Sequence, residues 1–282
     1  MAIEFVRCTI AEPMPFSDLA LARRLERAEG HACAQYAESR RRLFPRSGAE
    51  WMECAGAYAV FDQADSPVTQ TFGLGIFEKL TPAVLDTIES FFAQRGAPVL
   101  HEVCPFAGVA ALDLLCRRNY RPVEISSVLY QPTAQQPGGG VQSSIKVRVT
   151  GADQAQFWSD VSTRGWIHEH PELRDFMLQV GTISSARADS VCFLAELDGV
   201  PGATGLLCIH GGVALFAGAA TVPELRHRGL QTALLYERMR YASTHGCDLA
   251  MLVAEPGSDS HRNAERKGFR VAYTRTKWRL SP

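Results

Sequence analysis

The sequence predicts an α/β protein built from two similar halves in tandem. Three observations lead there. Helix-period segments alternate with short apolar runs along all 282 residues, a length that suits one large domain or two of ordinary size. Residues 131–144, QPTAQQPGGGVQSS, have the Pro, Gly, Gln and Ser composition of a linker and divide the chain near its middle. The elements before and after that stretch follow the same order. The expected organisation is a first domain over 1–130, a linker over 131–144 and a second domain over 145–282.

Each half opens with a helical region: FSDLALARRLERAEGHACAQYAESRRRL in the first, GADQAQFWSDVSTRGW onward in the second. Short strands follow, AYAVFD and TQTFGLGI against SVCFLAELDG, ATGLLCIHGG and VALFAGAAT. Next comes a helix that ends at glycine, TPAVLDTIESFFAQRG against GLQTALLYERMRYASTHG. An apolar strand ending at proline comes after it, APVLHEVCP against CDLAMLVAEP. A last helix leads to a strand opened by an aromatic residue, Tyr120 in RRNYRPVEISSVLY and Phe269 in ERKGFRVAYTRTKWRL.

The bulk composition narrows the function classes. A hydrophobic fraction of 46% supplies ample core and excludes global disorder. A net charge of -1 lacks the basic footprint of a general nucleic-acid binder. The eight cysteines show no CxxC spacing and lie mostly in apolar segments, so they read as buried small hydrophobes in a reducing compartment. No metal site is expected. The opening MAIEFVRCTI lacks the pattern of a signal peptide, and no apolar run reaches membrane-spanning length. The expected location is the cytoplasm, without membrane contact. Oligomeric state is not readable.

The most informative stretch is ATVPELRHRGLQTALL, residues 220–235. VALFAGAAT is a strand of small residues that lets another molecule lie close to the backbone. Pro223 ends its ladder, and a helix begins near Leu230, with Leu235, Met239 and Ala242 on its core-facing stripe. A helix start leaves unpaired N–H groups and carries partial positive charge. Two arginines there are unfavourable unless an anion lies between them. Gly229 lets an anion approach the backbone, and Arg226 and Arg228 add full charges. The combination reads as a phosphate or pyrophosphate site. No GxxxxGK[ST] or GxGxxG is present, so the nucleoside-triphosphate and dinucleotide readings lack their fingerprints.

RHRGLQ resembles the Q/R-x-x-G-x-G/A motif with which the GNAT acyltransferases grip the pyrophosphate of acetyl-CoA. TVPELR before it, ALLYERM, AEPGSDS, HRNAERKGF and RVAYTRTKW after it are similar as well. The resemblance is strong over 185–280 and weak over the first half. It implies two tandem GNAT-like domains, each a mixed, mostly antiparallel twisted sheet flanked by helices. It also implies an N-acetyltransferase that uses acetyl-CoA as co-substrate and a small-molecule or peptide amine as acceptor. Gln231 departs from the usual Gly or Ala, so its side chain must point away or touch the cofactor.

Carried onto this chain, the resemblance implies backbone contacts from Ala219 and Thr221 to the pantetheine arm. It gives the N–H groups of His227, Arg228, Gly229, Leu230, Gln231 and Thr232 to the pyrophosphate. Ser258, Ser260 and Asn263 are candidates for a polar touch on the pantetheine, although Ser is also a preferred helix cap. The tyrosine that many members use to protonate the leaving thiolate is missing; its place falls on or near Ala264. A general base must deprotonate the amine, with Glu255 as first candidate and His168 and Glu169, beside His170, as a second cluster. Trp158, Trp166 and Phe176 read as core or as an acceptor wall. A catalytically weak acyl-CoA sensor or scaffold, and an acyltransferase using a longer acyl-CoA or a non-amine acceptor, are the alternatives. In the first half, Glu78, Asp86 and Glu89 make the equivalent position acidic, so no CoA is expected there. Arg40, Arg41 and Arg42 read as a solvated helix face or an anion contact.

Overall fold

The computed structural model describes residues 14–135, 142–167 and 171–281. In the first half, helix α1 (Leu19–Leu43) starts where the Asp18 carboxylate accepts the Leu21 N–H. Strands β1 (Glu50–Cys54), β2 (Ala57–Phe61) and β3 (Gln70–Phe72) follow it. Helix α2 (Pro82–Ala93) begins with Pro82 in its first turn and the Thr81 hydroxyl accepting the Val84 N–H. Strand β4 (Leu100–Val103), helix α3 (Val109–Arg117) and strand β5 (Tyr120–Pro132) complete the half.

The second half runs β6 (Ile145–Val149), α4 (Ala155–Trp166), α5 (Arg174–Ser185), β7 (Ser190–Leu197) and β8 (Val200–His210). It continues through β9 (Val213–Thr221), α6 (Leu230–Thr244), β10 (Leu249–Ala254), α7 (Asp259–Arg266) and β11 (Arg270–Leu280). Strands β1 and β6 fall outside the sequence-based expectation. They lie at the two ends of the sheet, where one side lacks a neighbour among the described residues and a continuous apolar run is not required. The expected strand TQTFGLGI is extended only over Gln70–Phe72 and turns after it.

Among the described residues the strands form one sheet of eleven, in the order β1-β2-β3-β4-β11-β5-β10-β9-β8-β7-β6. Pairing is antiparallel except at β3/β4 and β9/β10. The halves are continuous because their last strands are exchanged. Strand β11 of the second half lies between β4 and β5 of the first, and β5 lies between β11 and β10 of the second. Gln131 and Pro132 pair with Ala250 and Leu249, so strand structure extends into the stretch whose composition reads as linker.

Side chains of β5 alternate between two cores, as the period of a strand requires. Val128 and Tyr130 join Leu25 of α1, Trp158 of α4 and Leu194 on one face. Leu129 joins Leu234 of α6 and Phe193 on the other. A third cluster gathers Leu85, Phe92, Leu115 and Trp278. Each fully buried Leu or Phe in these clusters contributes roughly 1.5–3 kcal/mol from leaving water.

A buried polar cluster ties α1 to the exchanged strand. Arg275 donates to Glu26 at 3.2 Å and to Glu29 at 2.6 and 2.8 Å, and the Tyr273 hydroxyl donates to Glu26 at 2.8 Å. Arg40 is also buried and pairs with Asp62, so it is neither a solvated face nor an anion contact. Its neighbours Arg41 and Arg42 bond Glu38 and the Ala186 carbonyl.

Candidate active site

Strand β9 pairs with β10 only from Val213 to Leu215, opposite Leu249 to Met251. Beyond that point the two strands separate and leave a V-shaped opening. On its other side β9 pairs with β8, and the register skips between Ala217 and Ala220. This β-bulge releases Gly218 and Ala219 from the ladder, and both are exposed. Gly218 has φ of 57°, a left-handed conformation that glycine adopts without strain. The small residues of β9 thus open the backbone at the V.

A cavity of about 190 Å³ fills the opening. Its walls include Phe216 to Ala219 of β9, Leu252 and Val253 of β10, and Trp166 at the end of α4. Helix α6 adds Gln231, Leu235 and Arg238, and α7 adds Ser260, Asn263 and Ala264. Ala264, where the family's tyrosine is expected, leaves a methyl group facing this space.

The turn into α6 has the geometry of an anion cradle. Gly229 is the N-cap residue, with φ of 89°, and no side chain caps the helix. The first backward bond runs from the Ala233 N–H to the Gly229 carbonyl. The N–H groups of Leu230, Gln231 and Thr232 therefore have no partner inside the helix. His227 is left-handed as well, with φ of 60°, and His227 and Arg228 are exposed beside the helix start.

Three residues expected at the cofactor make contacts within the protein. Arg226 is braced inward: its guanidinium donates to the Thr221 carbonyl at 3.4 Å and to the Gly165 carbonyl at 3.1 Å. Gln231 does not point away, because its amide donates to the Ala220 carbonyl at 3.0 Å and the Thr221 hydroxyl at 2.8 Å. Thr221 consequently spends its carbonyl and hydroxyl on these side chains, while Ala219 lines the cavity. The long side chain at 231 substitutes an anchor for the family's small residue.

On α7 the serines divide. Ser258 is the N-cap and accepts the His261 N–H at 3.2 Å, whereas Ser260 and Asn263 line the cavity. Glu255 is exposed at the end of β10 and lies in a neighbouring groove, walled on its far side by Pro122 to Ser126 of β5. Val253 lines both spaces. His168 and Glu169 lie outside the described residues. Trp158 is core, its indole N–H donating to the Phe193 carbonyl at 2.9 Å. Burial raises the thiols of Cys192 and Cys208, to about 12 and about 11, so neither is a ready nucleophile. Among the described residues, no group of three or more His, Cys, Asp or Glu is placed to hold a metal. No helix among them is long and apolar enough to cross a membrane.

Sequence reasoning missed Arg238. It is 3% exposed, stacks on Phe216 with its guanidinium 4.8 Å from the ring centre, and lines the cavity. The available signal was its spacing, three residues after Leu235 and four before Ala242, on the stripe that faces the core.

Residues 155–269 match the model of the Acetyltransferase (GNAT) family. No curated protein matches the chain significantly. Among solved structures, a GCN5-related N-acetyltransferase from Kribbella flavida has a TM-score of 0.67 at 18% identity, covering 93% of this chain and 96% of that one. A tandem GNAT protein from the clavulanic acid biosynthesis pathway has a TM-score of 0.57 at 11% identity, covering 95% and 98%. A functionally unknown conserved protein from Staphylococcus epidermidis has a TM-score of 0.60 at 8% identity, covering 85% and 96%. Residues 155–269 therefore match the GNAT family model, and the chain as a whole shares its fold with solved structures that include a tandem GNAT protein.

Proposed function

We propose that this protein is an acyltransferase that moves the acetyl group of acetyl-CoA to an amine on a small molecule or peptide. The observation that carries the reading is the V between β9 and β10 adjoining an uncapped helix start. On this reading the N–H groups from His227 to Thr232 hold the pyrophosphate, with the charge of Arg228 beside them. Ala219, Ser260 and Asn263 contact the pantetheine arm, and the thioester enters the bulge at Gly218. A free amine attacks the thioester carbonyl, the C–N bond forms, and the C–S bond breaks as CoA leaves. Glu255 takes the amine proton, directly or through water. A backbone N–H at the bulge stabilises the oxyanion.

The chain then divides into a first unit over 1–130 that does not bind CoA and a second over 145–282 that does. The start of α2 supports this: the Thr81 side chain caps it, so it offers fewer open donors than the Gly229 start. The first unit supplies β5, one wall of the groove beside Glu255. Ala264 favours a second reading, an acyl-CoA sensor with weak or no turnover. CoA release in the presence of a panel of amines separates the two.

The donor site is tested by titrating acetyl-CoA into the wild type and Arg228→Glu. Affinity is expected to fall at least about tenfold when a charge that contacts phosphate is reversed. Equal affinity for both proteins would sink the cradle.

A further inference from the structure

We propose that the donor site takes an acyl group bearing its own carboxylate, a dicarboxylic acyl-CoA, held by Arg238. The inference rests on the acyl-CoA reading above and adds the class of acyl group. Arg238 lies two turns into α6, in the wall of the V rather than at its phosphate end. Its Nε donates to the Leu234 carbonyl at 3.3 Å, and one terminal nitrogen, Nη1, donates to the carbonyls of Leu206 at 3.2 Å and Ala217 at 3.5 Å. The other, Nη2, has no hydrogen-bond partner among the described residues, and no carboxylate there pairs with the guanidinium.

A buried cation left without a counter-charge is costly, even when carbonyl dipoles satisfy part of its donor set. Burial is the one cause acting on this arginine, and it pulls the guanidinium down to about 10, still charged at neutral pH. Bracing of the bulge through Ala217 and Leu206 accounts for Nη1, and the Phe216 ring face offsets part of the charge, but no anion pairs with it among the described residues. A carboxylate entering from the cavity answers it with a charge-assisted bond. The site is also roomy on the side that the acyl group enters, because Ala217, Gly218, Ala219 and Ala264 carry at most a methyl group. A neutral acetyl group carries no charge to pair with the guanidinium.

The transfer balances without a further reactant. The amine nitrogen bonds to the thioester carbonyl carbon, the C–S bond breaks, and CoA leaves as a thiolate that takes up the proton released by the amine. The distal carboxylate is unchanged and remains on the amide product.

The test is calorimetric titration of the full chain with CoA, acetyl-CoA, succinyl-CoA and butyryl-CoA, the last a neutral acyl group of the same chain length. Succinyl-CoA is expected to bind at least about tenfold more tightly than butyryl-CoA. Arg238→Met is expected to abolish that difference while leaving CoA affinity within about twofold. If Arg238→Met does not fold, the wild-type comparison decides alone. Equal affinity for succinyl-CoA and butyryl-CoA, with CoA itself bound, overturns the acyl-group assignment and leaves the cradle standing. Failure of CoA itself to bind overturns both.

Discussion

Ser258 and Ser260 stand two residues apart on one helix start and have separate duties. Ser258 accepts the His261 N–H, while Ser260 faces the cavity. Ser258→Ala is expected to cost about 1 kcal/mol of stability, the usual loss for an N-cap, with little change in acetyl-CoA affinity. Ser260→Ala is expected to do the reverse; urea denaturation beside calorimetric titration reads both, and identical profiles would refute the division. His101 supplies a second residue-scale prediction. It is fully buried on β4, its Nε2 lies 3.0 Å from the Tyr120 hydroxyl, and burial lowers it to about 3. The unfolded chain takes up the proton first, near pH 6.5. The neutral ring therefore adds stability in full above about pH 6.5, and that contribution fades as pH falls toward 3. His101→Gln is expected to be less stable at pH 7, with the gap narrowing steadily toward pH 4. Melting curves across that range check it, and a gap independent of pH would count against it.

Among the elements, the exchanged strands carry the architecture. Arg275 of β11 is enclosed by Glu26 and Glu29 of α1 and by Glu102 of β4. Burial raises Glu26 above the usual carboxylate range, opposed by the Arg275 charge. Removing the arginine leaves three acids facing one another in the interior. Arg275→Met is expected to cost about 3–5 kcal/mol, the range for breaking a buried pair, as measured by chemical denaturation. A loss below 1 kcal/mol would mean that the acids simply protonate or rearrange. Helix α6 shows how an element can be read correctly and still hide a cavity-lining residue. Its periodic stripe over Leu235, Met239 and Ala242 identifies the buried face, and Arg238 lies on that same face. Periodicity places residues on faces; it does not say which one meets a cavity.

For the whole molecule, a single sheet with exchanged centre strands predicts shared folding. The chains 1–135 and 142–282, produced separately, each lack a central neighbour: β4 without β11 and β10 without β5. Exposed strand edges of that length invite association. Each alone is expected to aggregate or unfold, and the two mixed together are expected to form a soluble heterodimer, as size-exclusion chromatography would report. Two monomeric, cooperatively folded halves would refute the coupling. The intact chain should accordingly melt in one transition.

The sequence by itself determined the alternation of elements, the repeated order of the two halves and the strand–turn–helix at residues 213–235. These depend on local physics: periodicity, the φ that Gly229 permits, and open N–H groups at a helix start. It also marked the place on α7 where Ala264 stands. The tertiary structure decided which strands meet. Pairing partners are chosen by long-range burial and register, which no local pattern encodes, so the exchange of β5 and β11 stayed hidden. It likewise decided the direction of each polar side chain. Arg226 turned inward to Gly165, Gln231 to the end of β9, and Arg238 into the V, because carbonyls at the end of α4, at the strand end and at the bulge lay within reach only after the chain had folded.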